Sequence, residues 1–255
     1  MIITDLDNTL LRNNKSISEY TLSVLNKCRQ KGIIIAFATA RSVQASSRFL
    51  TQFRPDVFIG YGGSLVLAGE KIIGHFDIPP EISGQLIKDS MAAPEVSSIF
   101  AINESVALTN NLDDMPDTDF THYEYSDFSE KYNYRYLKIS LVSSSQTVVE
   151  KIAAKYPMCD MLRYTGENLY RFANREAGKW NAVKIAAAHY NISTDTMVAF
   201  GDDVNDLEMV ANCGISVAVE NAVRAVKAAA KQICGSNDND GVAHWLEKNV
   251  LNQDT

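Results

Sequence analysis

Met1-Ile2-Ile3-Thr4-Asp5-Leu6-Asp7-Asn8-Thr9-Leu10-Leu11 opens the chain. An apolar, β-branched run ends abruptly in polar residues, which predicts a short buried strand running out into a loop. Asp5 and Asp7 stand two apart at that exit. On a continuing strand their side chains would share a face, but where the strand ends the loop can aim them separately. Adjacent carboxylates repel, each raising the other's pKa unless a cation compensates, and a divalent metal is the simplest remedy. The competing reading is an Asp-rich turn in which Asn8 supplies the turn chemistry.

Outward from this stretch, Ser16-Ile17-Ser18-Glu19 has capping-box spacing, and Leu22 and Leu25 continue a helical period towards a stop at Gly32. Residues 33–38 (IIIAFA) form a continuous apolar run, the mark of a strand buried on both faces. Strand, helix and strand with short connections predict a right-handed βαβ unit with parallel strands. That second strand ends in Thr39-Ala40-Arg41-Ser42, with a new helix from Ser42. Residues 57–59 read as a third strand, and Gly62-Gly63 opens a hairpin pairing residues 64–67 with 71–76.

Pro79-Pro80 ends this regime. Alternating segments near residues 97–108 and 134–142, with helical patterns near 81–91 and 146–156, predict an α+β unit built on an antiparallel sheet. Residues 111–130 hold seven acids and neither lysine nor arginine, and are expected to form a solvated loop facing away from any anionic substrate. After Lys179 the parallel pattern returns: a helix over 180–190, a buried strand over 196–200, then Gly201-Asp202-Asp203-Val204-Asn205-Asp206. A helix over 207–211, a strand over 214–219, a helix to about Ala230 and a last helix from about Asp240 follow. The expected fold is α/β, a doubly wound parallel-sheet core from residues 1–80 and 175–255, with residues 81–174 inserted as a separate α+β domain.

A chain of 255 residues with 46% hydrophobic and 22% charged residues has ordinary globular composition. Its formal charge of −7 argues against nucleic acid or an anionic membrane as partner. Cys28, Cys159, Cys213 and Cys234 show no metal spacing and read as buried thiols in a reducing compartment. Asp5 and Asp7 interrupt any signal peptide, and no apolar run approaches the roughly 18 residues of a bilayer span, so a cytoplasmic chain is expected, a monomer or weak homodimer.

Three predicted strand ends carry polar residues: Asp5/Asp7, Thr39, and Asp202/Asn205/Asp206. In a doubly wound sheet, ligands bind beyond the carboxyl ends of the strands, so these segments converge. Carboxylate oxygens match the hard-ligand preference of Mg²⁺, which bridges to phosphate, and the assembly suits phosphoryl transfer with Asp5 as nucleophile and Asp7 as acid and base. An aspartate attacking a phosphate meets like-charge repulsion, about 4 kcal/mol per unit pair at about 4 Å and an effective dielectric near 20, so both the metal and a cation such as Lys179 are needed. Taken singly, Thr39 reads equally well as a helix cap, and Lys179 reads as a solvated surface lysine. Arg41 reads either as a substrate ligand or as half of a surface ion pair. The four histidines have no catalytic spacing, and Asn237-Asp238-Asn239-Asp240-Gly241 reads as a turn and helix cap.

Asp5-Leu6-Asp7-Asn8-Thr9, Thr39, Lys179 and Gly201-Asp202-Asp203-Val204-Asn205-Asp206 resemble the four motifs of haloacid dehalogenase-like phosphatases. Their order, with the insertion between the second and third, is similar to the Cof-type subclass, whose Rossmann-like core carries a large α/β cap. The resemblance extends through Glu220-Asn221-Ala222 and residues 236–243 and covers both core segments, while 81–174 match in length and character only. It implies Asp5 as nucleophile, Asp7 as general acid/base, and Mg²⁺ held by Asp5, the Asp7 carbonyl and Asp202. It also implies phosphate held by Thr39, Lys179, Asn205 and backbone near Leu6 and Ala40, with Asp206 orienting Lys179 or a metal-bound water. The family usually has Gly at Ala40, and Asn-Gly at Tyr61-Gly62; Tyr61 is expected to bear on the leaving group. Small phosphate esters such as sugar phosphates are the implied substrates. A phosphomutase on the same core, or a phospho-accepting switch protein with little turnover, are the alternative readings.

Overall fold

The structure is a computed structural model and describes residues 1–114, 122–129 and 134–252. In chain order its strands are β1 (Ile2–Thr4), β2 (Ile35–Ala38), β3 (Val57–Gly60), β4 (Leu65–Ala68), β5 (Lys71–His75), β6 (Val96–Ile102) and β7 (Ala107–Thr109). There follow β8 (Glu124–Tyr125), β9 (Lys138–Ser143), β10 (Cys159–Arg163), β11 (Leu169–Asn174), β12 (Val198–Gly201), β13 (Ile215–Ala218) and β14 (Gln232–Ile233).

They form two sheets. The first runs β14-β13-β12-β1-β2-β3-β4-β5, parallel from β14 to β3 and closed at one edge by the antiparallel β3-β4-β5 meander. β1 lies at its centre, with Ile2 in register with Ile35 on one side and Val198 on the other. Alternation across the central strands splits the apolar residues between two layers. Ile2, Phe37 and Phe200 pack with Val24, Leu25, Phe49 and Trp245. Ile3, Ala36, Ala38 and Ala199 pack with Ala182, Val183, Ala186 and Met209 from helices on the opposite face. Both faces are covered, and the apolar runs in the sequence record that. The fold is α/β, a doubly wound core with a cap.

The cap's sheet runs β10-β11-β9-β6-β7-β8, antiparallel except for the β7-β8 pair. One face is covered by helices Pro80–Met91 and Gln146–Ala153, through a cluster of Ile99, Ala101, Ile139, Leu141, Tyr170 and Phe172 with Leu86, Ile87, Val149 and Ile152. The interleaved residues, among them Phe100, Lys138 and Ser140, face the carboxyl ends of the first sheet. The sequence reading assigns no strand to 159–174, yet the β10-β11 hairpin makes one side of this sheet.

One local expectation is corrected. Ser18, not Ser16, caps the helix Glu19–Gln30, accepting from the Thr21 N–H, while the Ser16 hydroxyl donates to Asn14 Oδ1. Ser42 does cap the helix Val43–Gln52. The four cysteines are free thiols, three of them buried. Among the described residues no helix is long and apolar enough to cross a membrane.

Candidate active site

Asp5 leaves the end of β1 with its N–H donating to Phe200 O at 3.1 Å, so the exits of β1 and β12 are tied together. Lys179 begins the helix Lys179–His189 and is fully buried there. Its ammonium donates to Asp5 Oδ1 at 2.6 Å and Asp206 Oδ1 at 2.5 Å. Asp206 accepts the backbone N–H groups of Asp202 (3.0 Å) and Asp203 (3.3 Å) on its other oxygen, which fixes the loop after β12. Asp202 Oδ1 accepts the Thr9 hydroxyl at 2.7 Å. Two glycines make this approach possible. A Cβ on Gly201 would lie 2.5 Å from the Asp206 Cβ, and one on Gly63, whose φ is +109°, would lie 2.5 Å from the Gly178 carbonyl and 2.9 Å from Lys179 N.

Oxygen atoms of Asp5, Asp202 and Asp206 lie within 4.8 Å of one another, all three residues buried. Three carboxylates and one ammonium sum to −2 when ionised. Burial pushes the Asp5 carboxyl well above its usual range; Lys179 pulls it back in part, while Asp206 and Asp202 push it further up. Burial and Asp206 likewise push Asp202 up to about 7. For Lys179 burial favours loss of the proton, but Asp206 and Asp5 outweigh it and hold the ammonium charged. With Lys179 on Asp5 Oδ1 and Thr9 on Asp202 Oδ1, Asp5 and Asp202 each keep one oxygen that no group among the described residues satisfies. Hard oxygens, a deficit of two positive charges and open coordination fit a divalent cation such as Mg²⁺.

Asp7 turns away from this cluster. Its carboxylate takes a two-pronged ion pair from Arg41, Nε at 2.6 Å and Nη2 at 2.8 Å, and a third bond from Lys15 at 3.0 Å. Burial alone would raise the Asp7 pKa, but these two cations outweigh it and hold it below the usual range. Asn8, in the left-handed region at φ 55°, turns the chain between the aspartates and the following turn, and its carbonyl accepts from Asn221. Asn237 donates to the Leu11 carbonyl, and Asp240 accepts from Arg12 and Thr21. The stretch read as turn and cap therefore fastens the first loop from behind.

A cavity of about 260 Å³ opens between these strand ends and the cap. Asp5, Asp7, Ala40, Asp202 and Asn205 line it, whereas Leu6, Thr39, Lys179 and Asp206 are buried outside its lining. Thr39 Oγ1 accepts the Arg41 N–H. Among the described residues Asn205 Oδ1 is buried without a hydrogen-bond partner on the cavity wall it shares with Asp5 and Asp202, an acceptor suited to a metal-bound water.

A family model for haloacid dehalogenase-like hydrolases matches residues 2–246. The chain belongs to that family. This hydrolase is 25% identical over 270 residues to a 5-amino-6-(5-phospho-D-ribitylamino)uracil phosphatase of Bacillus subtilis, covering 97% of this chain and 96% of that one. It is 24% identical over 257 residues to an Escherichia coli phosphatase of the same name, with 97% and 95% covered. Its fold is that of a HAD subclass IIB sugar phosphatase (TM-score 0.83, 20% identity, 97% of both chains). A Thermotoga maritima protein has the same fold (TM-score 0.83, 24% identity, 97% and 96%). The hydrolase is a phosphatase of Cof type, a phosphoric monoester hydrolase.

Two expectations about this phosphatase are revised. Of the acidic stretch 111–130, residues 115–121 and 130 lie outside the described residues, but Tyr123 lines the cavity, so the segment does not wholly face away. Tyr61 does not reach the leaving-group space. It sits at φ 54° with its ring fully buried among Leu65, Ile102 and Leu137, bridging core and cap. Asn tolerates that left-handed backbone better than Tyr, and ring burial offsets the strain here. The sequence reading leaves Arg41 open and passes over Lys15, Lys138 and Arg171. Arg171 is buried in β11 and donates to the carbonyls of Tyr61, Gly62 and Ala177, joining cap to core. Gly62 gives it room: a Cβ there would lie 2.2 Å from Arg171 Nη1.

Proposed function

We propose that this phosphatase hydrolyses small phosphorylated metabolites, sugar phosphates among them, with Mg²⁺ and through an aspartyl-phosphate on Asp5. The reading takes residues 1–80 and 175–255 as catalytic core and 81–174 as the cap that selects the substrate. The observation that supports it most is the buried Asp5–Lys179–Asp206 chain with Asp202 alongside, a nucleophile already paired to a cation and short of two positive charges. Asp5, Asp202 and the Asp7 carbonyl would hold Mg²⁺, and bound there it neutralises the carboxylates and the phosphate oxygens.

A carboxylate oxygen of Asp5 forms the bond to phosphorus as the bond to the leaving oxygen breaks, and Asp7 gives that oxygen its proton. Water then attacks phosphorus, Asp7 takes the proton back, and the bond to Asp5 breaks to release inorganic phosphate. Lys179, the Thr39 hydroxyl, the Asn205 amide and N–H groups near Leu6 and Ala40 hold the phosphoryl oxygens as charge shifts. The ionised Asp7 held by Arg41 and Lys15 suits the water step. For the first step it must carry a proton, which the pairs with Arg41 and Lys15 oppose, so that step requires these pairs to weaken once substrate is bound.

The test is inorganic phosphate released from a panel of acetyl phosphate, nucleotides and sugar phosphates, with Mg²⁺ and with chelator. Metal-dependent release supports the reading. Release unaffected by chelator removes Mg²⁺ from it, and formation of an isomeric phosphate without release replaces it with a phosphomutase.

A further inference from the structure

Lys138 stands in the middle of β9 with 8% of its surface exposed, and it lines the cavity. Its ammonium has one acceptor among the described residues, the Ala40 carbonyl at 3.4 Å, and no carboxylate within ion-pair distance. The other buried cations beside the cavity are paired: Lys179 with Asp5 and Asp206, Arg41 with Asp7. A buried ammonium without an anion is costly, and its partner here has room to arrive from the cavity.

The charges around Lys138 say where. Lys15 and Arg41 share the single carboxylate of Asp7, and Lys138 donates to the carbonyl of Ala40, the residue before Arg41, so three cations stand on this side of the cavity with one carboxylate paired among them. The reacting phosphate would meet Lys179 and the divalent cation proposed for the carboxylate cluster. The surplus lies around Asp7, the group that protonates the leaving oxygen, and hence on the leaving-group side. On another part of the wall the Thr165 hydroxyl donates to Asp203 at 2.6 Å near Glu167, which repels anions and accepts from hydroxyls.

We propose that the physiological substrate is a small phosphate ester whose leaving group carries a second anionic group, a carboxylate or another phosphate, bound by Lys138 together with Arg41 and Lys15. This rests on the phosphatase reading above. The cavity volume keeps that second anion within a small molecule. The acidic patch near Glu167 directs it towards Lys138 and accepts hydroxyls from the rest of the leaving group.

The experiment compares kcat/KM, with Mg²⁺, within matched pairs. Glucose 6-phosphate against 6-phosphogluconate and glycerol 3-phosphate against 3-phosphoglycerate test a carboxylate. Fructose 6-phosphate against fructose 1,6-bisphosphate tests a phosphate. The wild type should prefer the second-anion member of at least one pair by tenfold or more. Lys138→Met should bring that ratio to near one, chiefly through KM, and Lys138→Arg should keep most of it. Equal rates within every pair in the wild type overturn the proposal while leaving the phosphatase reading in place. An equal loss on both members in Lys138→Met also overturns it, because it puts Lys138 on the reacting phosphate. If no ester is hydrolysed, the phosphatase reading fails, and this proposal falls with it.

Discussion

Ile2 and Ile3 of the core sheet point to opposite faces and both are buried, whereas in the cap Ile139 and Leu141 are buried under helices while Lys138 and Ser140 face a cavity. The core gathers its buried carboxylates at strand exits, in short contiguous motifs. The cap presents its cavity-lining residues on a sheet face, at alternate positions of strands far apart in sequence. Exits are rigid and close to one another, which suits a reaction with fixed stereochemistry. A sheet face can exchange side chains without disturbing the layer beneath, which suits substrate choice.

The two regions should therefore answer mutation differently. Asp5→Asn is expected to lower kcat by about 10⁴-fold or more, as losing a nucleophile does in other enzymes. Its unfolding curve should stay close to wild type, and substantial phosphate release from a clean preparation would contradict it. Lys179→Met removes the cation from between two buried carboxylates and should destabilise the chain by about 3–5 kcal/mol as well as abolish turnover. Denaturant unfolding and phosphate release measure the two losses separately. Asp7→Asn should cost about 10²–10⁴ in kcat with a much smaller change in KM, and a change confined to KM would exclude the acid and base role. Mg²⁺ at about a hundred times its Kd should raise the unfolding free energy of the wild type by about 2.7 kcal/mol, and much less in Asp202→Ala. A cap change such as Thr165→Val breaks only the bond to Asp203; it should shift KM for different esters unequally and leave stability within about 1 kcal/mol.

The same contrast explains what could be read from the residues alone. Asp5, Asp7 and the stretch from Gly201 to Asp206 sit where an apolar run stops, so strand exits and polar clusters coincide in one dimension. Lys179 was legible only through its place in the motif order, because what makes it unusual, burial between Asp5 and Asp206, comes from residues 174 and 27 positions away. Arg41 is two residues from Thr39, but its partner Asp7 is 34 residues off. Lys138 and Tyr123 could not be separated from ordinary surface residues until the register of β9 with β6 and the position of β8 were known. Gly62 and Gly63 read as a hairpin opening, yet their packing role is to let Arg171 and Gly178 come close.

Acetyl phosphate has a leaving group good enough to need little help from an acid, so it can load Asp5 even when Asp7 is replaced. The most direct test is therefore rapid quenching of Asp7→Asn with labelled acetyl phosphate and Mg²⁺, followed by digestion with trypsin. Label should accumulate on the peptide of residues 1–12, approach one equivalent per chain, be released by hydroxylamine, and be absent when Asp5 is also Asn. Phosphate release by the wild type with no label on that peptide, or with label on another residue, would show that Asp5 is not the nucleophile.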